Sequence, residues 1–210
     1  MIDLFIADDH ELIREMLKKI LLEEPDMNIV GEAKNSMEVF EQMRKTECDI
    51  IILDMNMPGR SGLDLIADLK VYKPLLKILM LSINPEEIYA IRAIRAGANG
   101  YISKDAALSE MVVAIRKIYT HGKYLSATLT EKLANDLCSE KAQMPHENLS
   151  NREFEIMCMI ASNKKVNDIA SGLSLSINTV NTYRSRIFDK MNIKSNVELT
   201  HYAMDAKLVD

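Results

Sequence analysis

Asp8 and Asp9, Asp54, Ser82 and Lys104 each stand at the end of a short apolar run. The runs are DLFIA (3–7), DIIIL (49–53), KILMLS (77–82) and GYIS (100–103). If these runs are neighbouring strands of one sheet, the five side chains converge at one edge. Three carboxylates within a few ångström repel one another unless a cation sits among them. Hard oxygen ligands and a mostly open octahedral site suit Mg²⁺. A lysine and a hydroxyl beside that ion could bind further oxygens of a phosphoryl group. Each residue alone has a plainer reading: Asp9 as a helix cap, Ser82 as a turn residue, Lys104 as a solvated loop lysine. Five of them at successive strand ends are hard to ascribe to coincidence.

The elements that must position them follow from hydrophobic spacing. A further apolar run is NIVGEA (28–33), and helical patterns lie near 10–22, 36–45, 62–71, 85–96 and 106–120. In the first of these, Ile13, Leu17, Ile20 and Leu21 recur at helical spacing. Asn35 with Glu38 three residues on, and Asn84 before Pro85, signal helix starts. Short, nearly all-apolar strands separated by helices predict a parallel sheet covered on both faces. Five such units fit an α/β doubly wound fold with strand order 2-1-3-4-5. Its functional crevice lies beyond the carboxyl ends of the strands.

Composition narrows the class. Of 210 residues, 48% are apolar and 27% charged, which excludes disorder, collagen and a disulfide scaffold. The net charge is −5, and it is unevenly spread: residues 1–122 carry −5, 123–147 carry −1 and 148–210 carry +1. A uniformly basic coat is excluded, but a local basic patch is not. Cys48, Cys138 and Cys158 form no CxxC, so a reduced, cytoplasmic chain is the simple expectation. The N-terminus lacks the positive start and long apolar core of a signal peptide, and no apolar run is long enough for a membrane helix. There is no GxxxxGK[ST] or GxGxxG and no HExxH, so neither a nucleotide cradle nor zinc is expected. His10 follows the acidic pair and could sit near the phosphoryl site, but it is read as a surface histidine. The 14 Met residues sit mostly at apolar helical positions and read as core filler.

The last part has no strand pattern and reads as four short helices: 151–162, 166–172, 177–191 and 195–206. Ser150 with Glu153, and Ser195 with Glu198, make capping boxes. Helices two and three are joined only by SLS (174–176), the spacing of a helix-turn-helix. Any small helical bundle would share this pattern. In the third helix Val180, Ile187 and Met191 share a face and should be core, with Tyr183 at its edge. Asn178, Asn181, Thr182 and Ser185 point away. Residues 178–194 carry Arg184, Arg186, Lys190 and Lys194 against one acid, Asp189. A merely solvated helix face would explain these cations equally well.

ADDHELIR, IIILDMNMPGRSGLDLI, ILMLS and AGANGYISKD resemble the receiver domain of two-component response regulators. The segment from LSNREFEIM to NIKSNVEL resembles the LuxR-type helix-turn-helix. Together the chain resembles a NarL/FixJ-family response regulator over nearly its whole length, most weakly in 123–147. The resemblance implies Asp54 as phosphoacceptor and Asp9 as direct Mg²⁺ ligand. It implies Asp8 as a ligand acting through water, and the backbone carbonyl of Asn56 at the metal. It gives Ser82 as the switch hydroxyl, Lys104 as the lysine that pairs with the phosphoryl group, and Tyr101 as the aromatic that changes rotamer. Pro58 and Gly59 match the loop after the acceptor. At the other end Asn181, Thr182 and Ser185 match base-facing positions, and Thr179, Lys190 and Lys194 lie nearer phosphates, with Arg184 and Arg186 flanking. Asn181 departs from the lysine frequent there; asparagine can bond adenine bidentately. Asn163 stands where glycine is frequent, and asparagine tolerates positive φ.

Together these features imply a receiver over 1–122, a linker over 123–147 and a helix-turn-helix domain over 148–210. The expected function is a DNA-binding transcription regulator switched by phosphorylation of Asp54. Its expected partners are a sensor histidine kinase, double-stranded DNA and a second copy of the chain, with no membrane. An ionised aspartate can attack phosphorus without a general base. Two rivals stay open: a small-molecule aspartyl-phosphate phosphotransferase or hydrolase, and a phosphorylation-independent dimeric regulator. The phosphoryl group is expected to draw Ser82 inward and let Tyr101 turn in. Val197, Leu199 and Met204 are either a contact between DNA-binding domains or core.

Overall fold

A computed structural model describes residues 1–57, 60–105, 108–138 and 144–209. The chain divides into two compact units, Met1–Cys138 and Ser139–Asp210.

The first unit is a five-stranded parallel sheet: β1 (Ile2–Ala7), β2 (Met27–Ala33), β3 (Ile50–Asp54), β4 (Lys77–Ser82) and β5 (Gly100–Ser103). The strand order is β2-β1-β3-β4-β5, as the sequence predicts. The helices are α1 (Glu11–Leu21), α2 (Ser36–Met43), α3 (Gly62–Tyr72), α4 (Glu86–Ala96), α5 (Leu108–His121) and α6 (Ala127–Cys138). β3 is central and buried on both faces, so Ile50, Ile51, Ile52 and Leu53 are all at most 1% exposed. That is why its sequence shows no polar alternation. In β1, the register against β2 shifts between Leu4 and Phe5. At the shift a Cβ on Gly31 would stand 2.6 Å from the buried Phe5 ring, so only glycine fits.

Helix starts are mostly legible. Asn35 accepts from Glu38 N, as expected. Asn84 does not cap α4: Pro85 is the cap residue. The Asn84 side-chain amide turns instead to Met55 Sδ at 3.2 Å, and the Asn84 backbone carbonyl accepts from the Tyr101 hydroxyl at 2.7 Å. The stretch expected to link the units is divided. Its helical pattern becomes α6, which belongs to the first unit and packs on α4, with Leu129 buried. The side chains of Leu133 and Leu137, also part of that pattern, lie outside the described residues. No described helix is long and apolar enough to cross a membrane.

The second unit opens with a short 3-10 turn at Pro145–Asn148. It continues through α7 (Asn151–Ala161), α8 (Val166–Gly172), α9 (Ile177–Met191) and α10 (Asn196–Asp205). Ser150 and Glu153 form the expected capping box on α7. At α10 only half of the second box forms: Ser195 accepts from Glu198 N, but the Glu198 carboxylate reaches back to Lys194 N. The core joins Phe154, Met157 and Ile160 of α7 to Ile169, Val180, Ile187, Met191, Leu199 and Ala203. Asn163 takes φ 59°, the left-handed conformation expected of it, and Ser174 in the α8–α9 turn takes φ 53°.

Candidate functional site

Strand register brings the chemistry together. Ala7 pairs with Leu53, so Asp8 emerges beside Asp54. Asp54 pairs with Leu81, which puts Ser82 one step further on; Ser82 pairs with Ser103, and Lys104 follows. The sheet delivers all the side chains to one edge. Asp8, Asp54 and Ser82 are 1%, 0% and 0% exposed. The Lys104 ammonium lies 2.7 Å from Asp8 Oδ2 and 3.1 Å from Asp54 Oδ1. A backbone bond from Lys104 N to Ser82 O holds the end of β5 against β4.

Asp54 Oδ2 is buried without a well-aligned hydrogen bond. Burial pushes the Asp54 pKa up to about 6, Lys104 pulls the other way, and the nearby Asp8 adds to the rise. Asp8, Asp9, His10 and Asp54 offer ligand atoms that all lie within 4.8 Å of one another. A buried carboxylate oxygen without a well-aligned hydrogen bond, set among further carboxylates, fits a hard divalent cation such as Mg²⁺. His10 is exposed, as the surface reading expects, and it also borders the acidic site. Its ring is largely exposed, yet Nδ1 lies 3.2 Å from Asp8 Oδ1 and 2.9 Å from Asp9 Oδ1. Its adjacency to the acidic pair in the sequence places it there.

Beyond the carboxylates, Ser82 Oγ accepts from Asn84 N at 3.0 Å and lies 3.7 Å from Met55 Sδ. Tyr101 is turned inward in this structure, 1% exposed, with its phenol pKa raised by burial. Met55 and Asn84 therefore join Ser82 and Tyr101 in one hydrogen-bonded group, a grouping that sequence reasoning missed. Gly62 sets the loop after Asp54: a Cβ there would stand 2.7 Å from Met55 O, and Gly62 N donates to that oxygen. Asn56 lies in this loop; Pro58 and Gly59 lie outside the described residues.

In the second unit α9 buries Val180, Ile187 and Met191, as its spacing requires. Thr182, Ser185, Arg186, Lys190 and Lys194 are exposed, and Thr179, Asn181, Tyr183 and Arg184 are half-buried. Ser176 caps the helix and shares a 2.7 Å hydroxyl contact with Thr179. Thr182 and Ser185 donate back to Asn178 O and Asn181 O. Each hydroxyl thereby uses its one proton inside the helix and presents only acceptor lone pairs outward. Lys190 is not free: its ammonium lies 2.6 Å from Glu153 Oε2. Burial would raise the Glu153 pKa, but Lys190 and the Ser150 bonds outweigh it and hold the carboxyl below its usual range. Arg152 bonds Glu155 and Leu173 O, clamping α7 to the turn before α9. On α10, Leu199 is core, while Val197 and Met204 are 66% and 51% exposed. The apolar stripe expected there is thus divided between core and surface.

Residues 4–116 match the family model described as response regulator receiver domain, and residues 147–203 match bacterial regulatory proteins, luxR family. Response regulator UvrY of Escherichia coli (strain K12) is 38% identical over 205 residues, covering 97% of this chain and 94% of that protein. Response regulator GacA of Pseudomonas aeruginosa is 36% identical over 211 residues, covering 100% and 99%. RcsB from Salmonella enterica serovar Typhimurium, solved bound to a promoter in the presence of the phosphomimetic BeF3−, superposes with a TM-score of 0.64. It is 26% identical and covers 96% of this chain and 97% of that one.

Proposed function

Because the chain belongs to the response-regulator family, a receiver joined to a luxR-type DNA-binding domain, it is a phosphorylation-controlled transcription regulator, and we propose that Asp54 takes the phosphoryl group. The observation that carries this is the Asp54 carboxylate: fully buried, with no well-aligned hydrogen bond on Oδ2, between Asp8 and the Lys104 ammonium. A sensor histidine kinase is the donor. Asp8, Asp9, Asp54 and the backbone carbonyl of Asn56 would hold Mg²⁺, which would offset charge on the transferring group. Lys104 supplies the fixed positive charge on the other side. The ionised Asp54 is the nucleophile, so the site needs no general base. Ser82 is the hydroxyl that turns to the phosphoryl oxygens, and Tyr101 reports that movement through its bond to Asn84 O.

We read residues 1–122 as the receiver, 123–147 as the connecting segment and 148–210 as the DNA-binding domain of a cytoplasmic protein. Helix α9 enters the major groove. Asn181, Thr182 and Ser185 face bases; Thr179, Arg184, Arg186 and Lys194 face phosphates, whereas Lys190, expected among them, is held by Glu153. Two copies pair on phosphorylation or on DNA, with Val197 and Met204 of α10 as a contact between DNA-binding domains. The chain retains the phosphoryl group and does not turn over a small-molecule substrate.

The experiment is labelling of the full chain by a small phosphodonor with Mg²⁺, followed by mapping of the modified residue. One phosphoryl group per chain on Asp54, and none on Asp54→Asn, is the expected result. Full labelling of Asp54→Asn at another residue, or continuous turnover of the donor, would overturn the reading.

A further inference from the structure

The segment 178–194 carries four cations, and they are not equivalent. Arg184, Arg186 and Lys194 make no ion pair among the described residues. Lys190 crosses to the first turn of α7, where Glu153 is 4% exposed in its side chain and Lys190 is 42% exposed. The same oxygen, Glu153 Oε2, accepts from Lys190 Nζ at 2.6 Å and from Ser150 N at 2.7 Å. Glu153 is thus fixed twice, once as the return arm of the capping box and once by the lysine.

We infer that Glu153 withholds Lys190 from DNA phosphates, so that this face engages the backbone with fewer cations than its sequence supplies. The inference rests on the reading of α9 as the DNA-facing helix. Its physical basis is an asymmetry of cost. Moving Lys190 to a phosphate would leave a buried carboxylate without its counter-charge, whereas the new pairing with the phosphate would be exposed and screened by salt. Glu153 cannot follow the lysine outward, because its oxygen also holds the α7 cap. The consequence is a lower sequence-independent affinity, which leaves base contacts a larger share of discrimination. Glu153 is therefore a positioning residue for recognition, although it faces away from DNA.

The test is binding of the full chain to a mixed-sequence B-form duplex across a salt series. The proteins are the wild type, Lys190→Met, Glu153→Gln, the double variant Glu153→Gln/Lys190→Met, and Lys194→Met. Glutamine preserves the capping box while removing the charge. Lys190→Met should leave the slope of log K against log salt unchanged. Glu153→Gln should steepen it by about 0.9, an extra loss of roughly threefold in K between 50 and 200 mM salt. The double variant should return to the wild-type slope, showing that the steepening runs through Lys190. Lys194→Met should flatten the slope by a similar amount. If Lys190→Met flattens the slope as Lys194→Met does, Lys190 is already on DNA and the inference is overturned. A steepening that persists in the double variant would overturn it too, because the charge of Glu153 alone would be responsible. If Lys194→Met changes nothing, the DNA-facing reading of α9 itself falls, and the inference with it.

Discussion

The carboxylate edge of the first unit and the outer face of α9 solve opposite problems. At the edge, side chains from β1, β3, β4 and β5 meet only because the sheet brings their ends together, and the central ones are sealed from water. On α9 one helix carries nearly the whole set, with Lys194 just past its end, and leaves most of it exposed. Buried charges interact strongly and carry a desolvation cost, so the first site stores free energy that a new ligand can release. Exposed groups interact weakly until DNA arrives, so the second site stores little and selects by geometry. One region is built to change state, the other to read.

The largest expected effect tests the stored cost. Asp54→Asn should abolish labelling and raise stability at neutral pH by up to about 3 kcal/mol, scaling from a pKa raised to about 6. For a raised carboxyl, the stability contribution is fully present below the unfolded pKa and is lost as pH rises through about 6. The advantage of the asparagine variant should therefore be small near pH 4 and complete above pH 6. Denaturant melts at the two pH values measure it, and equal increases at both would break the contrast between the regions.

Next is the loop that follows Asp54. Gly62→Ala places a Cβ 2.7 Å from Met55 O and Met55 Cα, so the start of α3 must shift. A loss of about 1–3 kcal/mol is expected from overpacking, with slower labelling of Asp54. Thermal melts and labelling rates would show both; an unchanged rate would mean that this packing does not set the acceptor's position.

On the reading face the signature should reverse. Asn181→Ala should leave stability nearly unchanged, while discrimination at its base pair relaxes by about 1–3 kcal/mol. Binding to operator variants measures this, and unchanged ratios would mean that α9 docks in another orientation. The smallest effect is at Ser174, held at φ 53° in the turn before α9. Ser174→Gly should stabilise the second unit by up to about 1 kcal/mol, since glycine adopts that conformation without a Cβ penalty. A loss of stability would show that the serine side chain matters more than its backbone.

What was legible in the sequence was local or periodic. Apolar runs marked the strands within a residue or so, and the caps at Asn35, Ser150 and Ser195 involve partners only three residues away. The converging acids, hydroxyl and lysine followed from topology. What escaped depended on packing across long separations. Glu153 and Lys190 are far apart in sequence and meet only because α7 lies across α9. The helix within 123–147 looked like part of a linker because its docking face becomes apparent only against α4. Asn84 had the composition and spacing of a cap, but Met55 and Tyr101 compete for its polar atoms. The inward rotamer of Tyr101 is likewise a choice between packings that residue identity does not make.

The place of β1 between β2 and β3 also governs how the molecule comes into being. The first strand synthesised is an interior strand, and it cannot be enclosed until β3 has been made. The acidic pair at its end meets Lys104 only after nearly the whole first unit has left the ribosome. Until then β1 offers an unpaired, largely apolar edge, the kind of segment that chaperones bind and that aggregates when folding lags. The second unit, made of short helices close in sequence, has no such delay, since local contacts form fast. The slow step in biogenesis should therefore be closure of the receiver sheet, with the DNA-binding helices folding soon after they emerge.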